Sequence, residues 1–216
     1  MLGLAETLAT AAAIFGIFMS GCRHVRSAIY LYAVQTALVA SIAFVYSASE
    51  HTGPALNISL AVVLAKAVGI PFFLGWVVKR LDVRTDSGAF LPVPLSMHVS
   101  IALFATSYYL ASSLDGAAGT FSAAAGATAS ISLVFTGLLF MMTRRLAISQ
   151  IIGFLTMENG IYLLGLHETR GMPVIVEMGV LLDVLAAVMI AGVIVFRIKK
   201  NFKHIDVTRL TGLNEQ

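Results

Sequence analysis

The chain has 216 residues, 58% of them hydrophobic and 12% charged, with a mean hydropathy of +0.91. Soluble domains carry about a quarter charged residues, so a water-soluble single domain is excluded; disorder needs the opposite balance. The single cysteine, Cys22, excludes an internal disulfide, and iron–sulfur clusters and thiolate metal sites take several cysteines.

Other chemistry is also thinly represented. Of the five histidines only His98 falls inside an apolar run, which excludes a haem held between two membrane histidines. There is no phosphate-binding Gly-rich loop and no H-E-x-x-H helix. The pattern is that of a protein that moves or positions something while harder chemistry is done elsewhere.

In chain order the apolar runs cover residues 2–21, 27–48, 56–78, 93–113, 119–142, 146–166 and 172–196. Each matches the about 20 residues of a membrane span, and in lipid only helices or closed barrels satisfy the backbone. Alternation with period two is absent, which excludes a barrel. The expectation is an all-α polytopic bundle of seven transmembrane helices.

The first run ends at Met19-Ser-Gly-Cys22, which resembles a lipoprotein cleavage box. It lacks a basic start and carries Glu6, so it reads as a membrane helix. The second run holds Gln35 and the third Lys66, five residues before Pro71. The fourth contains His98 and ends near Tyr108 and Tyr109. The fifth is rich in small residues from Ala123 to Ser130, suited to close helix approach. Glu158 lies in the sixth, Glu177 and Asp183 in the seventh.

Basic residues set the orientation. Arg23 and Arg26 follow the first run, Lys79, Arg80 and Arg84 the third, and Arg144 and Arg145 the fifth. Arg197, Lys199, Lys200, Lys203 and Arg209 follow the seventh, while the opposite side has only Arg170. The positive-inside rule then places the N-terminus outside and the C-terminus in the cytoplasm. The net charge of +3 is loop charge on one side and implies no nucleic-acid partner.

Lys66, Glu158, Glu177 and Asp183 are out of place in hydrocarbon, where a central charge costs at least ~2.5–3.5 kcal/mol. At about 1.5 Å per residue, Lys66 lies ~15 Å, Asp183 ~16 Å, Glu158 ~12 Å and Glu177 ~8 Å from the outer face. The carboxylates therefore descend in steps of about 4 Å, close to the reach of a side chain plus one water. A low dielectric disfavours an isolated charge, and an opposite charge restores it. A lysine whose carboxylate partner moves or takes a proton is thus a natural switch.

Structural readings stand beside these. Pro71 leaves the Ala67 carbonyl without its helical partner, and the Lys66 ammonium could satisfy it. Asp183 has Gly179, Ala186 and Ala187 on its face, which suits a helix–helix hydrogen bond. Glu158 shares a face with Phe154, Ile161 and Tyr162, and Glu177 is shallow enough for interfacial water. Gln35 and His98 could hydrogen-bond within the bundle.

The segment Gln150-Ile-Ile-Gly-Phe-Leu-Thr-Met-Glu-Asn-Gly160 resembles the signature of hydrogenase 4 component E, a membrane subunit of formate hydrogenlyase and related group 4 nickel–iron hydrogenases. Similar features follow in order over most of the chain: Tyr32-Ala-Val-Gln35, Lys66 before Pro71, Val176-Glu-Met-Gly179 with Asp183, and Asp206-Val-Thr-Arg-Leu-Thr211. The last three helices are similar to the K-type subunit of complex I, a module of its proton path. That subunit has its first membrane glutamate where this chain has Leu155, one turn before Glu158.

The resemblance implies a non-catalytic membrane-arm subunit in the cell inner membrane. Residues 1–118 would form a four-helix region, 119–200 the K-type region and 201–216 a cytoplasmic tail. Glu158, Asp183, Glu177 and Lys66 would contribute to a proton path, with Gln35 and His98 as supporting polar groups. This chain would carry no cofactor; the nickel–iron centre and iron–sulfur clusters would sit on partner subunits. Its partners would be antiporter-like and hydrogenase-anchoring membrane subunits and a cytoplasmic hydrogenase module. Alternatives are a scaffold of the same complex or a subunit of a related cation/proton antiporter assembly.

Overall fold

An apolar segment can satisfy its backbone polar groups without water only by closing each N–H on its own carbonyls, and these runs do so as helices. The structure, a computed structural model, describes residues 2–49, 65–80, 85, 90–114, 121–169, 189, 190 and 192. Its helices are α1 (Leu2–Ser20), α2 (Val25–Ser49), α3 (Ile70–Arg80), α4 (Val93–Leu114), α5 (Phe121–Thr143) and α6 (Ala147–Thr169). A π-helical turn, Ala65–Gly69, runs directly into α3. All but α3 are long and apolar enough to cross a membrane, giving five candidate spans among the described residues. The expected seventh span, including Glu177 and Asp183, lies outside the described residues apart from Met189, Ile190 and Gly192.

The most extensive contact is the α5–α6 hairpin, and glycines make it possible. A Cβ on Gly137 would lie 2.5 Å from the Met157 backbone nitrogen and 2.6 Å from the Gly153 carbonyl oxygen. One on Gly160 would lie 2.7 Å from Val134 N and 2.8 Å from Ser130 O. Backbone therefore rests on backbone, the small-residue packing used between membrane helices. α1 packs on α2 and α5, α2 also meets α3 and α6, and α4 flanks α5 and α1.

The basic loops gather at one end of this bundle. His24, after α1, pairs in an antiparallel bridge with Thr85, after α3. Phe90 N–H donates to the Thr143 carbonyl at 2.9 Å, bringing the approach to α4 against the end of α5. Arg144 Nη2 donates to the Ser20 carbonyl at 2.9 Å and so caps the C-terminus of α1. Arg144 is 2% exposed, with its guanidinium 4.7 Å from the Phe140 ring centroid. The loop residue Arg144 is thus a buried helix cap. Arg145, by contrast, is exposed and lies over Phe90 at 4.4 Å.

Two large apolar cores are stacked along the bundle, beside a small cluster of Ala111 and Ala127. The one toward the basic end joins Met19, Ile29, Tyr32, Leu74, Val77, Phe140, Ile152 and Leu155. The other joins Ala9, Ala13, Val39, Ile42, Ala129, Leu133 and Leu163. Ile190 of the last apolar run packs into the first.

Candidate functional site

Between the cores the same helices place a layer of polar side chains. α2 contributes Gln35 and Thr36, α5 Ser132 and Thr136, and α6 Thr156, Glu158 and Asn159, all buried. Counting from the basic ends of their helices, Gln35 lies about 15 Å and Glu158 about 17 Å along the bundle, close to mid-membrane.

The centre of the layer is an ion pair. Lys66 Nζ on the π turn donates to Glu158 Oε1 on α6. The lysine side chain is 10% exposed and the glutamate fully buried. The Tyr162 ring, one turn after Glu158, lies 5.6 Å from the ammonium. It adds a cation–π contact in a desolvated setting. Lys66 thus joins a carboxylate 92 residues away in sequence. Pro71 lacks an N–H, and its ring clashes with the carbonyl four residues back. The preceding backbone accommodates it by widening to π geometry, a form frequent at functional sites.

Asn159 Nδ2 donates to Thr36 Oγ1 at 2.9 Å, locking α6 to α2 beside the pair. Thr156 Oγ1 donates to the Ile152 carbonyl of its own helix at 2.9 Å and lies 3.6 Å from Met19 Sδ on α1. The rest of the layer is under-satisfied. Both side-chain atoms of Gln35, the Thr136 and Ser132 hydroxyls and Asn159 Oδ1 have no hydrogen-bond partner among the described residues. Gln35 faces α1 and α5: a Cβ on Gly16 would lie 3.6 Å from Gln35 Nε2 and 3.8 Å from Thr136 Cγ2. Buried groups of this kind usually bind one another or internal water.

Of the residues singled out from sequence, the structure brings Lys66, Glu158 and Gln35 to one level. His98 is elsewhere: it is exposed on α4, with Nδ1 2.7 Å from the Pro94 carbonyl of its own helix. Glu177 and Asp183 lie outside the described residues. Sequence reasoning missed Thr36, Ser132, Thr136 and Asn159. Their recurrence at mid-span, one or two per helix, was the available signal, but small hydroxyls normally bond their own helix and so escape notice.

The five apolar helices indicate a membrane-embedded protein, and the site defines it as a helical bundle with an ion pair sealed in its middle. The chain is similar to an uncharacterized protein of Mycobacterium tuberculosis, Rv0085, at 27% identity over 194 residues, covering 89% of this chain and 88% of that one. No family model and no solved structure matches.

Proposed function

We propose that this chain is a membrane-arm subunit of a group 4 nickel–iron hydrogenase complex of the formate hydrogenlyase type, in which it carries part of a proton path. The observation that supports this best is the buried Lys66–Glu158 pair within an incompletely satisfied polar layer. A buried carboxylate that meets an ammonium, within a layer that also holds unpaired amide and hydroxyl groups, has what proton transfer requires. It has a group that exchanges protons, a counter-charge that responds, and polar sites where water can bridge. Glu177 and Asp183 extend the path by the sequence argument.

The complex sits in the cell inner membrane, and this chain contributes seven spans with the N-terminus outside. The meeting of three basic loops at one end supports that orientation. Electrons pass through partner subunits that hold the nickel–iron centre and clusters, and antiporter-like and anchoring subunits flank this chain.

The scaffold reading is favoured by one observation: the glycine-mediated α5–α6 contact is built for rigidity. Glu158→Gln separates the two. Proton uptake and hydrogen evolution are measured in membranes, with assembly followed on native gels. Conduction predicts an assembled complex with impaired proton uptake, whereas a scaffold predicts loss of assembly first. Intact coupling in an assembled complex removes Glu158 from the path.

A further inference from the structure

We propose that the groove between α2 and α3 at the basic end of the bundle is a binding site for an anionic phospholipid. The inference rests on the membrane placement of the helices and is independent of the proton path.

The groove is an open cleft of about 520 Å³. Arg26, in the first turn of α2, and Lys79, in the last turn of α3, stand at its mouth. Tyr30, Ala33, Pro71 and Phe72 form much of its wall further into the span. Along the helix axis Ala33 lies about 10 Å from Arg26 and Pro71 about 12 Å from Lys79. Both helices therefore run from cation to apolar surface in the same direction, as a phospholipid runs from phosphate to acyl chain.

Charge complementarity selects the occupant. Among the described residues the one salt bridge is Lys66–Glu158, so no carboxylate among them neutralises Arg26 or Lys79. Both are exposed, and Tyr30 and Phe72 are 71% and 76% exposed. A membrane-spanning partner helix would cover the apolar wall but would bring mainly uncharged side chains to a pair of cations at headgroup level. A phosphate with its diacyl tail answers both halves, and basic pockets between helices at the cytoplasmic face bind such headgroups.

The protein carries its own reporter. Trp76, its single tryptophan, lies on α3 between the lining residues Gly75 and Lys79 and is 49% exposed. The full-length chain is reconstituted in vesicles of phosphatidylcholine containing either phosphatidylglycerol or phosphatidylcholine brominated on the acyl chain. Fluorescence quenching of Trp76 is then read against mole fraction. Ordinary boundary lipid quenches in both cases, so the headgroup preference is the signal. We expect brominated phosphatidylglycerol to quench at lower mole fraction, by about fivefold for each cation. Arg26→Gln with Lys79→Gln should equalise the two lipids, whereas Arg23→Gln, an exposed charge in the neighbouring loop that does not line the groove, should keep the preference. Equal quenching by the two lipids in the unaltered protein overturns the site, a result that needs no variant to fold. So does a preference that survives the double substitution or vanishes with Arg23→Gln, which would make it general surface charge. Relief of quenching by inorganic phosphate would assign the cations to a free anion and also overturn the lipid.

Discussion

Asn159 reaches across from α6 to donate its Nδ2 to the Thr36 hydroxyl of α2 at 2.9 Å, one residue along from the carboxylate that holds Lys66. Two consecutive residues of α6 therefore fasten two different partners at one depth. The level of the polar layer is set by this double attachment more than by any single bond.

Removing one member of the ion pair should be worse than removing both. Lys66→Met leaves Glu158 buried without its counter-charge, at a cost of about 3–5 kcal/mol. Lys66→Met with Glu158→Gln should recover much of that loss. Equilibrium unfolding in mixed micelles, arranged as a double-mutant cycle, reads the coupling; simple additivity of the two losses would refute it.

Gly137 and Gly160 should resist any side chain. Gly160→Ala puts a methyl group 2.7 Å from a backbone nitrogen that has no room to yield. Overpacking of that kind costs about 1–3 kcal/mol. Gly75→Ala on α3 meets nothing within 4 Å and serves as the comparison. Thermal unfolding of the three proteins should rank Gly160→Ala well below the other two.

Arg144→Met should destabilise the loop end of α1. It removes a charged donor from the Ser20 carbonyl, a bond worth about 1.5–3 kcal/mol when buried. Arg145→Met removes an exposed contact with Phe90 worth about 0.5–1 kcal/mol. Hydrogen exchange of the α1 C-terminal amides should rise in the first variant and stay near that of the parent in the second.

Cys22 gives a pH-dependent readout of the same corner. Burial pushes its thiol above the ordinary range, and the Arg144 guanidinium pulls part of the way back. The thiolate is the reactive form, so maleimide labelling should be slow at neutral pH and accelerate as pH rises past the usual cysteine range. Without Arg144 the downward pull is lost and the thiol titrates higher still. Labelling of Arg144→Met at a fixed mildly alkaline pH should therefore be slower, provided the corner keeps its packing; near-ultraviolet circular dichroism checks that.

Hydropathy alone located the five candidate spans among the described residues to within a few residues, because long apolar runs in lipid have one backbone solution; the expected span 56–78 is matched by a π turn and an eleven-residue helix from Ala65 to Arg80, with 56–64 outside the described residues. Basic residues likewise marked the end where the loops meet. A lysine coupled to a membrane carboxylate was legible, but that Glu158 is the partner was not, since residues 92 apart are brought together by tertiary packing. The capping role of Arg144 was not legible for a related reason. The residue directly follows an apolar run, where exposed arginines are common, and only the arrival of the α1 terminus turns it inward. His98 is a polar residue inside a span that finds its partner in its own helix.

The Lys66–Glu158 contact also decides how the bundle responds to membrane voltage. Two opposite unit charges in contact carry no net charge, so a potential across the bilayer does almost no work on them. A proton placed on Glu158 would leave a lone ammonium near mid-membrane, and moving it across the full field is worth about 2.3 kcal/mol per 100 mV. The electrical sensitivity of this pair would then be switched on by protonation rather than permanently wired.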